Sequence, residues 1–208
     1  MTPKNIESLF TRADGQYLFA RWGRPIAPVV FGVADETLKT VKGAVEAVVA
    51  LAAHKMTETD PELGANLMMF FIRDWEELIA VPNMDHLVPD LVSRVARLRE
   101  VGATQYRFFR FDEAGAIKAA FVFIRMDAAL AALPAEEIAL AQAVQVVLLW
   151  SETAFSGTSA LGRLADGTVV LRPDIAAVIR AAYDPAMPPV ARDPGHALRL
   201  FARVERAG

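Results

Sequence analysis

The run Glu136-Glu137-Ile138-Ala139-Leu140-Ala141-Gln142-Ala143-Val144-Gln145-Val146-Val147-Leu148-Leu149-Trp150 has the pattern of a helix that is apolar around most of its circumference. A helix of that kind belongs inside a domain. Two glutamines interrupt it. Gln142 and Gln145 are three apart and therefore share one face, where buried amides require hydrogen-bond partners or a cleft. Neither amide performs ordinary hydrolytic or metal chemistry. The candidate site lies on that face.

The rest of the composition narrows the class. Of 208 residues, 54% are hydrophobic, above the ~45–50% usual for soluble domains counted over a slightly different set. The chain should be compact, with little disorder. Twenty-two basic residues against 25 acidic give a net charge of -3, with neither sign in a long block, which disfavours a nucleic-acid partner held by a basic field. The chain contains no Cys, which excludes disulfides, thiolate metal sites and a cysteine nucleophile. Met1 to Glu7 is polar and lacks the apolar core of a secretory signal, so the expected location is cytoplasmic. The longest apolar stretch, Ile138 to Trp150, contains both glutamines and falls short of the ~18–20 residues that span a bilayer. No membrane span is expected.

Periods of helix and strand alternate outward from the glutamine helix. Tyr17 to Arg21 and Pro25 to Val33 are rich in aromatic and β-branched residues and read as extended. Asp35 is the expected N-cap of a helix in which Leu38, Val41, Val45, Val48 and Ala52 recur at helical spacing as far as about His54. Asn66 to Ile72 reads as a buried strand. Trp75 to Ala80 and Leu87 to Val101 read as helices, the second stopped by Gly102. Tyr106 to Phe111 and Ile117 to Ile124 form the clearest hairpin, turned at Asp112-Glu113-Ala114-Gly115, with apolar residues on both faces that helices should cover. A polar loop from Ser151 to Gly157 and a turn at Asp166-Gly167 follow. Pro173-Asp174 opens a helix that stops before Asp184-Pro185, and an amphipathic helix runs from about Pro194 to Val204.

Several segments recur, in this order, in a proteobacterial family catalogued as domain of unknown function 2927. They are Arg21-Trp22-Gly23-Arg24-Pro25-Ile26, Ala65-Asn66-Leu67, Phe109 to Ile117, Val122-Phe123-Ile124 and Ile179-Arg180-Ala181-Ala182-Tyr183-Asp184-Pro185. The chain resembles that family over roughly Tyr17 to Pro189, leaving out the stretch between Trp75 and Gly102. The order of the motifs carries the resemblance, since no single one is strong.

The family in turn resembles the zincin metallopeptidases. In true zincins one helix carries two histidines at i and i+4 with a catalytic Glu between them, because that spacing aims both imidazoles at one metal. Aligned on Leu149, this chain has Ala141 and Gln145 at the histidine positions and Gln142 at the glutamate position. Ala141 offers no ligand, a neutral amide is a poor zinc ligand, and Gln142 cannot act as a general base. Relatives also carry an acidic residue near the start of the motif and an Asn-Asp pair after it, whereas Ser151-Glu152 follows Trp150 here. Many relatives are lipoproteins; without Cys that feature does not carry over.

Other chemistries have less in their favour. His54, His86 and His196 sit in separate segments with no ligand spacing, and His54 beside Lys55 suits a helix C-terminus. Glu136 and Glu137 in a first helical turn complement the helix dipole. The loop from Ser151 to Ser159 lacks a Walker lysine or a nucleophile elbow, so it reads as a connector. Trp22 and Trp150 are either core or cleft residues, and Tyr183-Asp184-Pro185 ends a helix, since Pro cannot continue it, unless Tyr183 belongs to a site.

These observations predict a single α+β, zincin-like domain over 1–208. A small twisted mixed sheet packed on helices fills 1–134, and a helical part follows at 135–208. The expected function is non-catalytic binding of an unidentified protein or peptide, or a structural role, with no metal, cofactor or catalytic residue. The candidate cleft residues are Gln142, Gln145, Trp150, Glu152 and Tyr183. The alternative is a hydrolase whose site gathers Glu152, Asp174, Asp184 and His196. A third possibility is a homo-oligomer formed through Leu198, Phe201, Ala202 and Val204.

Overall fold

The computed structural model describes residues 1–207. Pro3 and a Thr2–Asn5 capping box start α1 (Pro3–Ser8), satisfying N–H groups that a helix start otherwise leaves open. The extended N-terminal segments shorten to β1 (Phe19–Ala20) and β2 (Pro28–Phe31). Next comes α2 (Asp35–Leu51), which buries Val41, Val45, Val48 and Val49. Its N-cap is Ala34 rather than the expected Asp35, so Asp35 and Glu36 occupy the first turn and act on the helix dipole.

After β3 (Leu67–Ile72) come α3 (Glu77–Ala80), α4 (Met84–Leu87) and α5 (Leu91–Glu100). The single helix expected from Leu87 to Val101 is thus interrupted. Pro89 disfavours helical backbone at Val88, and Asp90 takes a positive φ of 56°. Gly102, at φ 62°, follows the end of α5.

The predicted hairpin forms from β4 (Gln105–Phe111) and β5 (Ile117–Arg125), with Gly115 at φ 86° in its turn. The sheet order is β2-β3-β5-β4, with β2, β3 and β5 parallel and β4 antiparallel at one edge. Helices cover both faces, as two-sided apolar strands require. Trp75, Leu78, Met84, Val88, Leu91 and Val95 pack on Phe70, Phe121 and Phe123. On the other face α2 packs along the glutamine helix, which follows the short α6 (Ala128–Ala131) and is α7 (Ala135–Val147).

The C-terminal part differs from the helical expectation, because it contributes three short strands. β6 (Leu161–Arg163) and β7 (Val169–Leu171) make a hairpin around Asp166-Gly167. After α8 (Pro173–Ala182), β8 (Val190–Ala191) pairs antiparallel with β1 and so ties the two ends of the chain together. The last element, α9 (Gly195–Ala207), packs on α1 and α8. Phe201 and Val204 of the suggested oligomer face turn toward the chain's own core, leaving Leu198 and Ala202 outward. The architecture is α+β, and among the described residues no helix is long and apolar enough to cross a membrane.

Candidate cleft between the strand edge and the glutamine helix

The glutamine helix stops at Val147, three residues before the expected Trp150. Leu148 is extended and bridges Arg21, and the Leu149 N–H donates to the Ala20 carbonyl at 2.9 Å. A helix C-terminus leaves carbonyls without intrahelical partners, and here aromatic donors take three of them. Trp150 Nε1 donates to Val144 O, Trp22 Nε1 to Val146 O and the Tyr183 hydroxyl to Val147 O, each at 2.8 Å. Tyr183 also accepts from the Trp22 N–H at 3.4 Å, and the Arg21 guanidinium lies over its ring at 5.1 Å. Burial raises the Tyr183 hydroxyl pKa above its ordinary value, so it stays a neutral donor. Trp22 and Tyr183 are buried helix caps outside the cleft.

The cleft itself has a volume of about 570 Å³. One wall is the edge strand β4, which contributes Gln105, Arg107 and Phe109. The floor includes Gln145, Leu149 and Trp150, and the opposite wall is the loop carrying Glu152 and Phe155. Trp150 is held between Phe10, stacked at 5.3 Å, and Phe155, edge-on at 5.2 Å. The Arg125 N–H donates to Thr104 O at 2.8 Å, which sets the phase of the antiparallel ladder. Thr104, Tyr106 and Phe108 therefore bond β5, while the backbone groups of Gln105, Arg107 and Phe109 point to the open edge.

Three polar side chains interlock between this wall and α7, Gln105 and Arg107 lining the cleft and Gln142 set behind them. Gln142, fully buried, donates from Nε2 to Gln105 Oε1 at 3.1 Å, and Arg107 Nη2 donates to Gln105 Oε1 at 2.6 Å and to Gln142 Oε1 at 3.0 Å. The amides thus fix α7 against the sheet. Burial pulls the Arg107 pKa down to about 10, so the guanidinium remains charged at neutral pH. Its Nε is sealed from solvent with no partner. Gln145, one turn beyond Gln142, lines both this cleft and an adjoining pocket of about 240 Å³ that Ala141 also lines.

Of the expected cleft residues, the structure brings Gln145, Trp150 and Glu152 together, sets Gln142 behind them and places Tyr183 elsewhere. Glu152 accepts from the Ala13 N–H at 2.6 Å and from Arg12 at 3.1 Å, which lowers its pKa. The four residues of the hydrolase alternative stay apart. Asp174 pairs with Arg172, Asp184 with Arg203, and His196 with the Tyr17 hydroxyl at 2.8 Å. His54 bonds the Arg24 carbonyl at 2.9 Å, and His86 is exposed. Among the described residues no three His, Asp or Glu side chains gather as they would around a metal ion. Sequence reasoning missed Arg107 and Gln105, although two polar residues on one face of an aromatic strand were a visible signal. Comparison with family models, curated proteins and solved structures finds no match.

Proposed function

We propose that this chain is a zincin-like domain of the domain of unknown function 2927 type whose cleft binds an extended peptide without cleaving it. The observation that carries the reading is the open edge of β4. Outward N–H and C=O groups at Arg107 and Phe109 lie on the edge strand that lines a cleft of about 570 Å³, and an exposed strand edge recruits another strand by main-chain hydrogen bonding. The zincin resemblance draws support from Ala141 and Gln145, which line one pocket as two positions aimed at a single metal would. Those residues supply neither a ligand pair nor a base, so the retained capacity is binding.

The test is titration with an acetylated, amidated hexapeptide of alternating Ser and Val, alongside the same peptide N-methylated at alternate residues. The plain peptide should bind and the N-methylated one should bind at least about tenfold more weakly, since each lost backbone bond is worth about 1 kcal/mol. Equal affinity of the two would overturn strand addition.

A further inference from the structure

Arg107 stands on the cleft wall as a cation without a counter-ion. Its side chain is held by the amide oxygens of Gln105 and Gln142, which are neutral. Nε has no partner, and Nη1 makes no hydrogen bond among the described residues. The other charged groups of the cleft satisfy one another, because Glu152 is held by Arg12 and by a backbone N–H. A part-buried guanidinium left uncompensated is costly. A carboxylate delivered by a ligand would supply the missing charge through hydrogen bonds that guanidinium geometry favours. Gln145, which lines the same cleft and has no side-chain partner of its own among the described residues, offers a further amide N–H donor.

We infer that Arg107 is the specificity residue of the cleft and selects a peptide bearing a carboxylate, which it receives on Nη1 while the strand edge binds the peptide backbone. This rests on the peptide-binding reading above. The carboxylate belongs either to an acidic side chain of a through-running segment or to a chain terminus, and the two sources share one recognition chemistry.

Three acetylated hexapeptides of alternating Ser and Val separate the possibilities by fluorescence anisotropy. One is amidated and uncharged (the neutral peptide), one is amidated with a central Glu, and one has only Ser and Val side chains but a free C-terminal carboxylate. At least one carboxylate peptide should bind about tenfold or more tightly than the neutral one, as a charge-assisted hydrogen bond implies. The peptide showing the preference identifies the source. In Arg107→Gln the ratio of carboxylate-peptide to neutral-peptide affinity should fall to about one, whatever the affinity for the neutral peptide becomes. Equal binding of all three by the natural chain overturns the carboxylate inference and leaves the peptide cleft standing. No binding of any peptide overturns both. A preference that survives Arg107→Gln also overturns the inference, because another cation would then be responsible. Should Arg107→Gln fail to fold, thermal shift of the natural chain decides. Sodium acetate should raise Tm more than equimolar sodium chloride or acetamide, and equal shifts would overturn the inference.

Discussion

One hydroxyl at Tyr183 serves two backbone groups, donating to Val147 O and accepting from the Trp22 N–H. Removing it leaves the last α7 carbonyl buried and unpaired, which costs about 1–3 kcal/mol. Tyr183→Phe should therefore lower the free energy of urea unfolding by that amount while leaving peptide affinity unchanged, since the residue lies outside the cleft. A loss of affinity at unchanged stability would contradict its role as a cap. His196 sets a pH dependence of its own. Burial, reinforced by Arg199 and Arg203 and opposed by Asp193, pulls its pKa from an ordinary 6.5 to about 4. The unfolded chain thus binds the proton more readily, so this contribution is fully present above pH 6.5 and is lost as pH falls toward 4. The loss should be on the order of 3 kcal/mol. His196→Gln should flatten that part of the stability profile, and a slope equal to that of the natural chain would refute the assignment.

Gly32 shows how two elements constrain one position. It directly follows β2 at φ 80°, and a Cβ there would stand 2.0 Å from the Phe71 carbonyl oxygen of the neighbouring strand. Gly32→Ala must shift the β2–β3 backbone and should cost more than about 2 kcal/mol, measurable by chemical denaturation. Elements that rely on local signals were legible in the sequence. The β4–β5 hairpin has Gly115 in its turn, and α8 has Pro173 at its start and Asp184-Pro185 just beyond its end. The end of α7 was not legible, because Leu148, Leu149 and Trp150 continue its apolar run. What stops the helix comes from Trp22 and Tyr183, which are remote in sequence. The strands β6 and β7 were missed because each has only three residues, although Asp166-Gly167 marked their turn. Arg107 escaped notice for a related reason. Its distinguishing property is the lack of a counter-ion, and that emerges only when the fold shows which carboxylates are already taken.

Across the whole molecule, the sheet and α7 produce the cleft for which we propose peptide binding. Gln142 is committed to Gln105 and Arg107, and each acidic residue of the hydrolase alternative is paired with its own arginine. Zinc, which stabilises any fold that binds it selectively, should leave Tm within about 1 °C of the metal-free value. A concentration-dependent rise saturating at one metal per chain would contradict the peptide-binding account. The most direct test of its central claim is residue-resolved amide hydrogen exchange with and without the tightest-binding hexapeptide. Strand addition predicts that the outward N–H groups of Arg107 and Phe109 slow markedly, while those of Tyr106 and Phe108, already bonded to β5, change little. Unchanged exchange at Arg107 and Phe109 in the saturated complex would contradict it.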